Sequence, residues 1–278
     1  MVVDEALRAS AERLGAAGCE TPRVDAALLL AHVLRTTRSG LVGSRGRELT
    51  EGELAAFESL VARREGREPL AYVLGAWGFR RLVLSVDPRV LVPRPETEVV
   101  VERCLALLCG VEAARALDVG TGSGAIALAI ADEHPGADVT GIDVSEDALA
   151  VARSNAERAG LGVSFARHDL FDGLPAGPWE LVVSNPPYVR PGEIETLQHE
   201  VREWEPRVAL LAEGATEAIA EGAREVLRPG GALVLEVADG DASRVGALLR
   251  ELGYTDVTTT TDLTGTDRVV EGVTTSSA

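Results

Sequence analysis

Across residues 3–65 apolar side chains return at helical spacing. Leu7, Ala11 and Leu14 share one face, and Ala27, Leu28, Leu30 and Ala31 build a second stripe. Thr50 followed by Glu53 has the spacing of a capping box, in which hydroxyl and carboxylate satisfy free N–H groups at a helix start; Gly66 and Pro69 then end that helix. Between residues 70 and 92 the texture changes. Tyr72, Val73 and Leu74, then Leu82, Val83, Leu84 and Val86, punctuated by Gly75, Gly78 and Pro88, predict a connecting β-hairpin. Beyond Pro93 and Pro95 a helix over about 96–108 leads into apolar strand-like runs at 116–119, 138–142, 163–166, 181–183 and 233–237. Helical stretches such as 125–131 and 146–159 lie between them. Residues 255–260 and 268–273 predict two further strands joined by a turn through Asp262 and Gly265, a hairpin that makes one strand antiparallel to the rest. The small, polar tail 274–278 is expected to be disordered.

Alternating strands and helices imply an α/β, doubly wound, mostly parallel sheet covered on both faces, with ligands at the carboxyl ends of its strands. The expected organisation is a small helical N-terminal domain over 1–69, a connecting hairpin over 70–92 and a ligand-binding domain over 93–278. At 278 residues and 46% hydrophobic the chain is long enough to bury a full core.

Charge narrows the choice of partners. With 27 basic residues, all of them arginine, against 44 acidic ones, the net charge is −17, which disfavours nucleic acid or an anionic membrane as a direct partner. Within this acidic chain the span from Arg35 to Arg81 has nine Arg and six Glu. That local excess is either a solvated helical surface or a patch that orients an acidic protein partner. Cys19, Cys104 and Cys109 include no C-x-x-C pair and are expected to be reduced packing residues. His32, His134, His168 and His199 show no metal-ligand spacing, so no metal is expected. No leader-like segment and no apolar run of membrane-spanning length is visible, and a cytoplasmic location is expected.

Two motifs carry chemistry. Leu117, Asp118 and Val119 run into Gly120, Thr121, Gly122, Ser123 and Gly124, a strand end, glycine-rich turn and helix entry. Glycine lets the backbone approach a ligand closely, and the helix start offers N–H groups to an anionic group. Asp143, at the end of the next strand, can accept hydrogen bonds from ribose hydroxyls. Together they form a nucleoside-binding pattern, although Gly120, Gly122 and Ala125 also satisfy the dinucleotide fingerprint and leave NAD open. Asp169, followed by Leu170, either meets an adenine amino group or is a solvated loop aspartate.

The second motif is Asn185, Pro186, Pro187 and Tyr188 at the end of the strand 181–183; Asn-Pro and Pro-Pro also build purely structural turns. An amide or aromatic-amine nitrogen is a poor nucleophile, and an enzyme that methylates it should accept hydrogen bonds from its N–H groups. Asn185 offers a side-chain oxygen, Pro186 a carbonyl in a stiff loop, and Tyr188 a π-face against a planar acceptor. No strong base is needed, because a nitrogen that gains a methyl cation becomes acidic.

Downstream of Gly120–Gly124 and Asp143, this tetrad resembles amino-group methyltransferases. The segments Pro69–Gly75, Trp77–Phe79 and Leu91–Glu98 are similar to the release factor glutamine methyltransferase family, as are Glu203–Arg207, Ala209–Leu210, Glu236 and Asp267–Glu271. The resemblance implies a class I methyltransferase with a seven-stranded sheet and S-adenosylmethionine as cofactor. It implies methylation of the side-chain amide of the glutamine in the Gly-Gly-Gln loop of class I peptide chain release factors. Carried over by position, Gly120, Thr121, Gly122, Ser123, Gly124, Asp143, Asp169 and Leu170 would hold the cofactor. Asn185 would meet both cofactor and acceptor, and Pro186, Pro187 and Tyr188 would complete the acceptor pocket. Arg94 and Glu98 should line the same cavity. Relatives often have an aromatic residue where this chain has Leu170, with Phe171 one place later, and many have a double-glycine and Asp-Gly pattern where 212–218 has none. The alternatives are a glutamine methyltransferase of a large-subunit ribosomal protein and, from another class, an NAD-dependent oxidoreductase. An adenine-N6 DNA methyltransferase and a cofactor-free adaptor are disfavoured.

Overall fold

The computed structural model describes residues 1–275. They fall into two compact units, Met1–Ala76 with Leu197–Trp204, and Trp77–Thr196 with the chain from Glu205 onward. The elements begin with α1 (Val3–Ala16), α2 (Pro22–Val33), α3 (Arg38–Val42), α4 (Glu51–Glu65), α5 (Leu70–Leu74), β1 (Ala76–Phe79), β2 (Leu82–Ser85) and α6 (Thr97–Leu107). There follow β3 (Arg115–Val119), α7 (Ala125–Glu133), β4 (Asp138–Asp143), α8 (Glu146–Ala159), β5 (Ser164–Arg167), β6 (Trp179–Ser184) and α9 (His199–Trp204). Last come α10 (Ala215–Val226), β7 (Leu227–Glu236), α11 (Ala242–Glu251), β8 (Tyr254–Thr261) and β9 (Asp267–Thr274).

The first unit is helical. Val3, Ala6 and Leu14 of α1 share a core with Ala26, Leu29 and Leu30 of α2 and with Phe57 and Val61 of α4. The stripe expected on α2 is displaced, since Ala27 and Leu28 are half-buried while Ala26 and Leu29 are buried. The unbroken apolar run 26–31 has no polar face to set its phase. Helix α4 starts as its capping box requires: the Thr50 hydroxyl accepts from the Glu53 N–H at 3.2 Å, and the Glu53 carboxylate accepts from the Thr50 N–H at 2.9 Å. Helix α9 is held to this unit by Glu200, which receives both Arg64 and Arg67 at 2.8 Å. The buried Arg64 also donates to Asp25 at 2.8 Å, so its charge is compensated on two sides.

Tyr72, Val73 and Leu74, expected in a strand, instead form the helical turn α5. Pro69 accepts from the N–H groups of Tyr72 and Val73, Gly75 ends the turn at φ 70°, and Arg63 donates to the carbonyls of Tyr72 and Val73 at 3.2 Å. Three successive buried residues, Ala71 to Val73, do not fit the alternation of a half-buried strand. The hairpin that does form is β1–β2.

The second unit contains a seven-stranded sheet in the order β5-β4-β3-β6-β7-β9-β8. The pairs β3–β4, β3–β6, β4–β5 and β6–β7 are parallel, and β9 runs antiparallel to both neighbours. Central strands are mostly apolar in their middles because both faces are covered. Val100, Val101, Ile126 and Ile130 pack in the core on one side, and Ile219, Ala223, Val245 and Leu249 in the core on the other. Strand β7 begins earlier than its apolar run predicts, since a register shift opposite Trp179 and Leu181 lets Arg228–Gly231 bulge between the pairs Trp179–Leu227 and Leu181–Ala232. The terminal hairpin inserts its second strand against β7 and leaves β8 at the edge.

Thr274 departs from the disorder expected of the tail. It is the last residue of β9, and its hydroxyl donates to the Arg228 carbonyl at 2.7 Å, an anchor supplied by the sheet and invisible in local composition. The expectation for 276–278 lies outside the described residues. Cys19 and Cys104 are buried, but Cys109 is exposed past the end of α6, contrary to the packing role expected of it. Among the described residues no helix is long and apolar enough to cross a membrane. The chain runs outward from β3 through β4 to β5, then returns to β6 on the other side of β3. That reversal opens a crevice at the carboxyl ends of β3 and β6.

Candidate active site

Polar contacts to strand ends hold the glycine turn. The N–H groups of Gly120 and Thr121 both donate to the Ile142 carbonyl at 2.9 Å, and the Thr121 hydroxyl donates to buried Asp118 at 2.6 Å. Burial raises Asp118 to about 7, against the opposing hydrogen bonds from Thr121 and the Ala127 N–H. Asp143 closes the turn from β4. One oxygen accepts from the Gly122 N–H and the other from the Ser145 N–H, each at 2.9 Å. Desolvation shifts this carboxyl upward, and its backbone donors oppose the shift. Gly120 and Gly122 have φ of 73° and 55°, and a Cβ built on either meets no protein atom within 4 Å. The space above the turn is thus left open for a ligand.

Gly124 has a different task. At φ 82° it precedes α7, and a Cβ there would stand 3.1 Å from Leu128 and 3.3 Å from Ala152, so it permits close packing of α7 and α8. Asp169 caps the short turn Leu170–Asp172 by accepting from the Phe171 N–H at 3.0 Å.

The second motif leaves the end of β6, where the Ser184 hydroxyl donates to the Val119 carbonyl at 2.7 Å and ties β6 to β3. The Asn185 side-chain N–H donates to the Thr97 hydroxyl at 3.3 Å, and that hydroxyl donates to buried Glu236 at 2.6 Å. Burial raises Glu236 to about 7, with hydrogen bonds from Thr97 and Asn185 opposing the rise. Pro186 is buried. Tyr188 is 37% exposed, yet crowding around its phenol, then the charge of Glu236, push its ionisation up to about 12, and it keeps its proton at neutral pH. The Val189 N–H donates to the Leu210 carbonyl at 3.1 Å, joining this loop to 207–210.

These parts surround one cavity of about 370 Å³, within the usual range for small-molecule sites. Of the residues singled out in the sequence, Gly120, Thr121, Gly122, Ser123, Asp143, Asp169, Leu170, Asn185, Pro187 and Arg94 line it. Gly124, Pro186 and Tyr188 lie outside its wall, as does Glu98, whose carboxylate accepts the Arg80 backbone N–H at 3.0 Å. Phe171 does reach the wall, one place after Leu170. Arg94 is steadied by Glu205, which is buried and receives it at 2.7 Å. Thr97, within the segment Leu91–Glu98 but given no role by it, and His168, which no motif marked, also line the cavity. The only signal for Thr97 was its place between Arg94 and Glu98, and the scatter of the histidines hid His168. Among the described residues no group of His, Cys, Asp and Glu is arranged to hold a metal ion.

A sheet of this order, with a glycine turn and an acid beside its switch point and an amide-bearing loop on the adjoining strand, defines the class I methyltransferases, whose methyl donor is S-adenosylmethionine. Solved structures share the fold: a methyltransferase from Pyrococcus furiosus has a TM-score of 0.51 at 20% identity over 70% of this chain and 90% of its own. A 16S rRNA N2 G1207 methyltransferase from T. thermophilus has a TM-score of 0.54 at 19% identity, over 72% of this chain and 49% of its own. Residues 5–75 match the PrmC N-terminal domain, and residues 97–203 the methyltransferase small domain. Release factor glutamine methyltransferases from Caulobacter vibrioides and Deinococcus radiodurans are 42% and 41% identical, each over 97% of this chain and over 95% and 98% of their own. One from Geobacter sulfurreducens is 43% identical over 92% of this chain and 90% of its own. The chain belongs to the release factor glutamine methyltransferase family. The oxidoreductase and ribosomal-protein alternatives are not favoured.

Proposed function

We propose that this protein transfers a methyl group from S-adenosylmethionine to the side-chain amide nitrogen of the glutamine in the Gly-Gly-Gln loop of class I peptide chain release factors. The observation that carries the reading is that Asn185 and the Gly120–Asp143 cradle open into the same cavity. The cradle fits the cofactor, because Gly120 and Gly122 leave unfilled space and Asp143 presents a half-buried carboxylate beside it. Gly120, Thr121, Gly122, Ser123, Asp143, Asp169 and Leu170 would hold the cofactor, with Asp143 accepting from ribose hydroxyls. Bound there, S-adenosylmethionine supplies an electrophilic methyl group and takes the electron pair of the broken carbon–sulfur bond.

The protein's own contribution is to orient the acceptor. The Asn185 side-chain oxygen and the Pro186 carbonyl accept the two amide N–H groups, holding a weak nucleophile in line at little entropic cost. Pro187 stiffens the loop, and the Tyr188 ring gives a planar amide a face to lie against. After transfer the surplus nitrogen proton leaves to solvent, and no side chain need act as base. In this reading 93–278 is the catalytic domain, 1–69 recognises the release factor, and 70–92 connects them. The partner is a protein, with no direct contact to nucleic acid or membrane, and the reaction belongs to the cytoplasm. Incubation with labelled S-adenosylmethionine and a class I release factor should label the factor, and the same factor with its loop glutamine replaced by alanine should stay unlabelled. Labelling of neither, with the cofactor bound, would overturn the substrate assignment.

A further inference from the structure

The mechanism needs Asn185 to present oxygen, and not NH₂, to the acceptor. A carboxamide is nearly symmetric in shape, so its two orientations fill the same space and only its hydrogen-bond partners decide between them. Asn185 meets Thr97 at 3.3 Å and also hydrogen-bonds Glu236 itself, and a hydroxyl, unlike a carboxylate, can serve an amide from either side, as donor or as acceptor. What removes that freedom is Glu236. It is 2% exposed, and its Oε2 lies 2.6 Å from the Thr97 hydroxyl, short enough for a charge-assisted bond to a carboxylate. A carboxylate can only accept. The single Thr97 proton is committed to it, Thr97 has only lone pairs left for Asn185, and the amide must turn its N–H inward and its oxygen outward.

Resting on the methyl-transfer reading above, we propose that ionised Glu236, directly and through Thr97, fixes the polarity of the Asn185 amide toward the acceptor nitrogen. Protonation reverses the relay. A neutral Glu236 donates its proton to the Thr97 oxygen, the Thr97 hydroxyl turns to donate to the Asn185 oxygen, and the amide flips to aim NH₂ at a substrate that itself offers N–H groups. Few other groups interfere. Arg268 and Glu96 act on Glu236 only at a distance, in opposite directions, and Arg268 is engaged with Asp262 at 3.3 Å and the Val237 carbonyl at 3.4 Å. Tyr188, the remaining titratable neighbour, stays neutral through the range in which Glu236 titrates. Because burial brings that titration to about 7, the switch lies near neutral pH.

The test reads the amide itself as well as turnover. In the isotope-labelled protein, the side-chain ¹⁵N–¹H₂ signals of Asn185, identified by their loss in Asn185→Ala, should shift with a midpoint near neutrality. They should stop titrating in Glu236→Gln, and titrate with a smaller shift in Thr97→Val, which keeps only the direct contact. Methyl transfer to the release factor should fall about tenfold per pH unit on the acid side of that midpoint. That acid limb should disappear in Glu236→Gln, with kcat lowered more than KM, while Thr97→Val should lower kcat and Thr97→Ser, which restores the hydroxyl, should recover it. A flat Asn185 signal across neutral pH in the unaltered protein, or one that still titrates in Glu236→Gln, overturns the relay. A titrating amide in a protein that transfers no methyl group supports the relay and overturns the methyl-transfer reading instead.

Discussion

Asn185→Ala is expected to lower turnover by about 10² to 10³ while changing cofactor affinity much less, by analogy with loss of one preorganised contact to a developing charge. Single-turnover rates beside equilibrium binding of S-adenosylmethionine check this, and near-normal turnover would remove Asn185 from the mechanism. Glu236 predicts the opposite sign for stability. Its carboxyl is held at about 7 in the fold against an ordinary value of 4.5, so the native state keeps a proton that the unfolded chain releases, and the fold loses stability as pH rises through that window. Glu236→Gln removes the penalty. Denaturant unfolding should show a stability gain on the order of 2–3 kcal/mol larger at about pH 8 than at about pH 5, in the same variant that loses activity. Asp118 is raised to about 7 as well but is common to both proteins and cancels. Gly120, Asp143 and Asn185 were legible in the sequence because each announces itself through a local pattern. Thr97 was not, since its meeting with a residue 88 positions away leaves no mark on its neighbours in the chain.

Among the elements, α4 and α9 offer separate tests. Thr50→Ala removes the hydroxyl that satisfies the Glu53 N–H and should cost about 1 kcal/mol in thermal or denaturant unfolding. Glu200 anchors α9 to Arg64 and Arg67. Burial alone would raise its carboxyl, but the hydrogen bonds from Arg67 and Arg64 hold it at about 2. Its folded value lies below the ordinary 4.5, so its stabilisation is present above that pH and is lost as pH falls toward about 2. Glu200→Gln should therefore flatten the acid limb of a stability-versus-pH curve, and an unchanged limb would count against the anchor. Element type was readable where periodicity was long, as in α8, whose bounds match the expected 146–159. It failed at α5, where β-branched and aromatic residues sit in a helical turn because Pro69, Gly75 and Arg63 satisfy that turn's backbone. Propensity is a weak prior when three buried neighbours and a cationic cap oppose it.

At the scale of the molecule, a net charge of −17 makes the exposed arginines 35, 38, 45 and 47 a local exception. If they orient an acidic face of the release factor, reversing all four should slow association and flatten its salt dependence while leaving single-turnover methyl transfer at saturation near normal. Unchanged association kinetics would return the patch to ordinary solvated surface. The alternation of strands and helices, the glycine turn with its acid, the Asn185–Tyr188 loop and the family were all readable from the chain alone, because each is written in residues adjacent or regularly spaced along it. Only the tertiary structure decided which of those residues share a cavity, that Gly124 serves packing, that Glu98 turns to Arg80, and that Glu236 stands behind Asn185 through Thr97. Those relations depend on how β3, β6, β7 and α6 come together, and the hydrophobic burial that brings them together is non-directional and leaves no local signature of which polar groups will meet.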